Sequence, residues 1–150
     1  DGTAMDLLTN FKERFTERFS ESSLSPTEFA ARIGITPTSV YRYLEGKHIP
    51  PFAEFVKMAD AFQCSGDYLL GLTDEYVAIA FKEPPPFREQ IYFLLQHFGV
   101  SEYSLHKNAE ISRSLLHSWK TGATCPSVPN LVKLAAQFGC SVDFVIGREC

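Results

Sequence analysis

Cysteine and histidine are the residues of this chain best suited to catalysis or metal binding, and their placement favours neither. The four cysteines stand at 64, 125, 140 and 150, with no Cys-x-x-Cys pair to hold a metal or run disulfide exchange. His97, His106 and His117 with Cys125 match no zinc spacing, and the three histidines fall on three different expected helices. No glycine-rich phosphate loop or nucleophile elbow occurs. The lone serines and histidines are explained by helix caps and surface. The expectation is a chain with no catalytic site, no metal and no cofactor. Glu13, Glu17, Glu21 and Glu28 read as a solvated face.

What remains is recognition, and it centres on Ser-Pro-Thr-Glu-Phe-Ala-Ala-Arg-Ile-Gly-Ile-Thr-Pro-Thr-Ser-Val-Tyr-Arg-Tyr-Leu-Glu-Gly-Lys, residues 25–47. One short apolar-patterned segment stops at Gly34, and another starts two residues later at Thr36-Pro37. Two helix starts so close together make sense if the second helix must be held outward at a fixed angle. The first of such a pair braces the second. A projecting helix fits the major groove of B-form DNA, where base edges carry a readable pattern, and its free N–H groups favour phosphate.

The same arrangement is written twice. Shifted by 76 positions, residues 11–71 lie on 87–147 without a gap, and 14 of the 61 positions are identical. Phe55–Gly71 (FVKMADAFQCSGDYLLG) against Leu131–Gly147 (LVKLAAQFGCSVDFVIG) is the densest part. This implies two homologous domains, 5–71 and 87–150, with a linker over 72–86. The four residues before Met5 read as a cloning scar and are left out of the fold expectation. In the linker, Pro84–Pro86 should be stiff and extended. The stretch Tyr76–Phe81 is too apolar for a solvated tether and reads as a strand or a docked helical patch.

Each repeat is expected to form five helices and no sheet. Leu7, Leu8, Phe11, Phe15 and Phe19 recur at steps of three or four, the stripe of an amphipathic helix. Ser25 caps the second helix, with Pro26 at its first position and Glu28 at its third, and Gly34 stops it. Thr36 caps the third and Gly46 stops it. The fourth spans about Phe52–Phe62, and Ser65 caps a short fifth that ends near Leu70. Ser101, Ser112, Gly122 and Ser141 punctuate the second repeat in the same way. Cys64 and Cys140 share one apolar slot and read as buried structural thiols.

Residues 24–51 closely resemble the helix-turn-helix domain of the Cro and phage-repressor (XRE-type) family, and the resemblance extends over both repeats. Phe29, Ile33, Ile35, Val40 and Tyr43 fall on that family's core positions. Ala30 stands where the two helices touch, and Gly34 takes the turn. The resemblance implies an all-α fold of two tandem five-helix repressor-like domains. The DNA-contacting positions it implies are Thr36, Pro37, Thr38, Ser39, Tyr41 and Arg42, with Lys47 and His48 in the following loop. In the second repeat they are Ser112, Arg113, Ser114, Leu115, His117 and Ser118. Arg42 and Arg113 are the candidates for guanine, because a guanidinium fork matches its O6 and N7.

Three departures from that family stand out. Pro26 and Glu102 replace the usual phosphate-binding glutamine. The usual Arg–Glu pair between the first and third helices is Phe19 and Leu44 in one repeat, Leu95 and Lys120 in the other. In repeat two, His106 replaces the small Ala30 and Glu110 replaces Gly34, which should shift the helix angle or weaken that face.

The net charge is −4, divided as −5 for residues 1–80 (7 Lys/Arg, 12 Asp/Glu) and +1 for 81–150 (7 against 6). That balance gives little non-specific attraction to phosphate. The function implied is sequence-specific binding of double-stranded DNA by a cytoplasmic transcriptional regulator. The alternative is that one repeat, the second above all, serves as a protein-interaction or dimerisation module, as in an antitoxin. Tyr92, Phe93, Phe98 and Tyr103 are more aromatic surface than so small a domain needs, which suits a homodimer or another protein partner. No apolar run approaches the roughly 20 residues that cross a membrane.

Overall fold

The computed structural model describes residues 3–76 and 81–149, with side chains from Leu7 onward. Among these residues there are ten helices and no strand: α1 (Thr3–Ser22), α2 (Pro26–Ile33), α3 (Pro37–Glu45), α4 (Phe52–Phe62), α5 (Gly66–Leu69), α6 (Phe87–Phe98), α7 (Glu102–Asn108), α8 (Arg113–Thr121), α9 (Val128–Phe138) and α10 (Val142–Ile146). The chain divides into two compact units, residues 1–80 and 81–150. Each unit holds one run of five helices.

Short helices cannot persist alone, because nucleation costs more than a few turns return. Here a hydroxyl starts most of them. Ser25, Thr36, Ser65, Ser101, Ser112, Ser127 and Ser141 each accept a hydrogen bond from the backbone N–H three residues on. Each such cap contributes about 1 kcal/mol. At Ser25 the cap is reciprocal. Its Oγ accepts from Glu28 N at 3.1 Å, and the Glu28 carboxylate accepts from Ser25 N at 2.9 Å. That hydrogen bond lowers the Glu28 pKa below the ordinary carboxylate value.

The core of the first unit is aromatic. Phe11, Phe15, Phe29, Tyr43 and Phe62 are all buried. Phe15 sits at its centre, with ring centroids of Phe11, Phe29, Tyr43 and Phe62 between 5.5 and 5.8 Å away. The second unit substitutes aliphatics for two of these, Ile91 for Phe15 and Leu105 for Phe29, and places Trp119 where Tyr43 stands, all three buried. Cys64 is fully buried, whereas Cys140, expected to match it, is half-buried.

The stretch expected as a linker is held at both ends. Tyr76 packs edge-on against Tyr68 at 5.3 Å and donates its hydroxyl to the Phe62 carbonyl at 3.0 Å. Arg14 donates to Asp74 at 2.7 Å. In the second unit, Lys82 N donates to the Arg148 carbonyl at 2.9 Å, and the Arg148 guanidinium lies 4.1 Å over the Phe81 ring. So 72–76 packs on the first unit and 81–86 falls with the second. The expectation of a strand or helix over Tyr76–Phe81 falls mostly on 77–80, outside the described residues.

The turn between the paired helices separates the two units. Gly34 has φ +78° at no steric cost, and the second unit puts Glu110 there at φ +57°. A β-carbon in that region costs about 1–2 kcal/mol. Glu110 is exposed, so replacing it removes no buried contact. Glu110→Gly is expected to stabilise the second unit by about 0.5–1 kcal/mol after allowing for glycine's greater unfolded freedom. Trp119, the single tryptophan, lies in that unit, so its fluorescence through a urea titration reads the change directly.

Candidate nucleic-acid interface

Helix α3 has one face inside and one outside. Val40 and Tyr43 are buried, while Thr38, Tyr41, Arg42 and Glu45 are exposed. Tyr43 fixes the helix in its seat. Its ring meets Phe11 and Phe15 edge-on at 5.8 and 5.7 Å, and its hydroxyl donates to the Glu54 carboxylate on α4. Burial, reinforced by that carboxylate, raises the phenol pKa well above 10.0.

Thr36 and Pro37 form the exposed tip. The Thr36 hydroxyl accepts from Ser39 N at 3.2 Å and lies 3.1 Å from the Ser39 hydroxyl. Ser39 is half-buried, with its hydroxyl beside that of the cap. Lys47 and His48 are exposed in the loop beyond Gly46, and the Lys47 ammonium sits 3.7 Å from Glu45. Exposed pairs of this kind hold little energy, so that cation stays available.

Helix α8 repeats the plan with Leu116 and Trp119 buried and Ser112, Arg113, Ser114, Leu115 and His117 exposed. Ser118 is half-buried, and its hydroxyl is 2.7 Å from that of Thr124, which ties the helix to the loop after it. The two candidate arginines do not occupy equivalent places. Arg113 is the first residue of α8, and Arg42 lies in the last turn of α3.

Sequence reasoning missed two cations beside these helices. The Lys12 side chain on α1 lies over Gly46, close enough that a β-carbon there would meet its Cδ at 2.5 Å. Arg88 on α6 does the same at Gly122, at 3.1 Å. Lys12 and Arg88 are in register by the 76-residue shift, the one signal that could have found them. Each places positive charge at the carbonyl end of a projecting helix, where the helix dipole favours it.

The second unit departs where the sequence led one to expect. His106 is half-buried at the helix crossing, and its Nδ1 donates to the Ile111 carbonyl at 3.0 Å. The close approach of α2 to α3 is not repeated between α7 and α8. A shallow cavity of about 280 Å³, lined by Glu102, Tyr103, Arg113 and Leu116, lies there. Glu102 receives a 2.8 Å bond from Lys120, which raises the lysine's pKa. His97, His106 and His117 lie on α6, α7 and α8 respectively.

A helix-turn-helix family profile matches this chain twice, over residues 21–69 and 91–145. Neither a curated protein nor a solved structure matches it significantly.

The seat of α3 makes a pH-dependent contribution. The unfolded phenol ionises near pH 10, while folded Tyr43 keeps its proton to higher pH. Its contribution is present in full below pH 10 and is lost as pH rises through the folded value. Wild type should therefore lose stability above pH 10 more steeply than Tyr43→Phe. Urea midpoints followed by far-ultraviolet circular dichroism from pH 8 to 11 check this.

Proposed function

Because the chain belongs to the Cro/XRE-type helix-turn-helix family, whose domains bind DNA, we propose that it is a transcriptional regulator that reads double-stranded DNA through α3 and α8 and catalyses no reaction. The observation that carries this reading is the exposure of Thr38, Tyr41 and Arg42 on the side of α3 opposite its buried Val40 and Tyr43, with Thr36 exposed at its N-cap. Arg42 and Arg113 recognise guanine as forks. Thr36, Thr38, Ser112 and Ser114 serve phosphates or base edges, and Lys12, Lys47, His48 and Arg88 serve the backbone. Because the arginines stand at opposite ends of their helices, the two units prefer different half-sites.

The second unit supports a further reading as a protein-binding module. Tyr103 on α7 and Leu115 on α8 are exposed apolar residues, and Glu102, paired with Lys120, stands where the family has a phosphate-binding glutamine. The two readings separate in one experiment. Duplexes selected from a random pool at stated salt concentration are footprinted with the whole chain and its variants. Arg42→Ala and Arg113→Ala should each weaken binding by about 1–3 kcal/mol and relax specificity at one base pair, and Lys47→Ala should lower the salt slope by about one. Two protected half-sites per chain support reading by both units. A single half-site insensitive to Arg113→Ala assigns the second unit to protein binding. No selected sequence at all overturns the DNA reading.

A further inference from the structure

The two units treat one equivalent place in opposite ways. In the first, Arg14 on α1 fills it. Its guanidinium carbon lies 4.1 Å over the Tyr68 ring, Nη1 donates to the Tyr68 and Thr73 carbonyls at 3.3 Å each, and Nη2 donates to Asp74 at 2.7 Å. By the 76-residue register, Arg14 becomes Gln90, Glu17 becomes Phe93, Tyr68 becomes Phe144, Gly71 becomes Gly147 and Thr73 becomes Glu149. Those five second-unit residues, with Lys82, line an open cavity of about 360 Å³.

Its walls keep the chemistry that holds Arg14 while lacking the arginine. Gln90 is shorter and donates to the Phe144 carbonyl at 3.0 Å, the counterpart of the Tyr68 carbonyl that Arg14 reaches. A carbonyl oxygen has a second lone pair for another donor. Phe144 supplies the ring face, and Phe93, 47 % exposed, adds a second ring 6.1 Å from it. Guanidinium groups stack on such faces. Glu149 supplies the carboxylate. It is half-buried, its oxygen accepts from the Ser141 hydroxyl, and burial raises its pKa, the state that a neighbouring cation relieves. Lys82 at the rim is exposed and can turn to solvent.

We propose that the cavity between α6 and α10 is a binding site for a guanidinium group supplied from outside the chain, either free arginine or an arginine side chain of a partner polypeptide. The guanidinium stacks on Phe144 and Phe93 and pairs with Glu149, as Arg14 stacks on Tyr68 and pairs with Asp74. This site is independent of the DNA-facing helices, and its test does not use DNA.

The experiment is a titration of the full chain, labelled in its phenylalanine rings, with L-arginine in one arm and acetyl-Gly-Arg-Gly-amide in the other. Acetyl-Gly-Lys-Gly-amide is the control. Saturable shifts of the Phe93 and Phe144 resonances are expected, with a dissociation constant on the order of 1 mM for so small a probe. The lysine peptide and Glu149→Gln should each weaken binding about ten-fold or more. Gln90→Arg, which copies the first unit, should fill the cavity from within and abolish the response. Unchanged Trp119 fluorescence shows that each variant is folded, and Phe93→Ala, followed at Phe144 and expected to weaken binding, replaces any variant that is not. Binding of arginine alone identifies a free ligand, binding of the peptide alone identifies a polypeptide, and binding of both identifies the guanidinium group as what is recognised; each supports the site. The absence of saturable shifts in both arms, or shifts that survive Glu149→Gln and Gln90→Arg unchanged, would overturn it.

Discussion

One buried aromatic ring in each unit decides where its outward helix points. Helices α3 and α8 have nine residues each, too few to hold themselves, so their direction comes from what their inner face grips. In α3 the grip is Tyr43, wedged edge-on against Phe11 and Phe15 and tied by its hydroxyl to Glu54. In α8 it is Trp119, fully buried and edge-on to Phe87 at 6.0 Å. The two grips are unequal. The Trp119 Nε1 is buried with no hydrogen-bond partner among the described residues, and a buried donor left so costs about 1–3 kcal/mol. The residue in register with Glu54 is Asn130, so the second unit gave up the carboxylate that satisfies the first.

That inequality fits the rest of the second unit. His106 at the crossing is too large for the close helix contact that Ala30 permits, and it compensates by donating to Ile111. Glu110 carries the turn in a conformation that suits glycine. Lys120 and Glu102 pair across α7 and α8, where Leu44 and Pro26 stand in the first unit. The scaffold survives because its caps are kept: Ser101, Ser112 and Ser141 hold the places of Ser25, Thr36 and Ser65. What changed is the surface that the scaffold presents.

Helix order, the caps, and the stops at Gly34, Gly46 and Gly122 were legible in the sequence, because each depends on residues within four positions of one another. The inner and outer positions of α3 and α8 came from the resemblance to the Cro and phage-repressor family, and the burial of Val40 and Tyr43 beside exposed Tyr41 and Arg42 agrees with it. Contacts between distant residues were not legible. Nothing local shows that Arg14 reaches Asp74, that Tyr76 closes over Tyr68, or that the buried pair Arg148–Asp143 forms at 2.6 Å. The bond from the Ser39 amide to the Thr36 hydroxyl was legible as a cap, but the contact between the two hydroxyls was not. Lys12 and Arg88 were missed because a long flexible side chain can reach several places, and packing alone chooses among them.

The acid balance of the first unit weighs less against an anionic ligand than its −5 suggests. Charge acts locally, since exposed charges farther apart than about 8 Å are largely screened at physiological salt. Glu17 and Glu21 are bound to Arg18 on α1, and Asp74 to Arg14. Those contacts lower the Glu17 pKa, with Arg18 the largest cause, so its charge is compensated where it stands. Around α3, Arg42, Lys47 and His48 are exposed and Lys12 leans over Gly46, although Lys12 also shares a cavity with Glu13 and Glu17, and Glu45 pairs with Lys47. A net charge summed over the unit therefore says little about the charge at any one face.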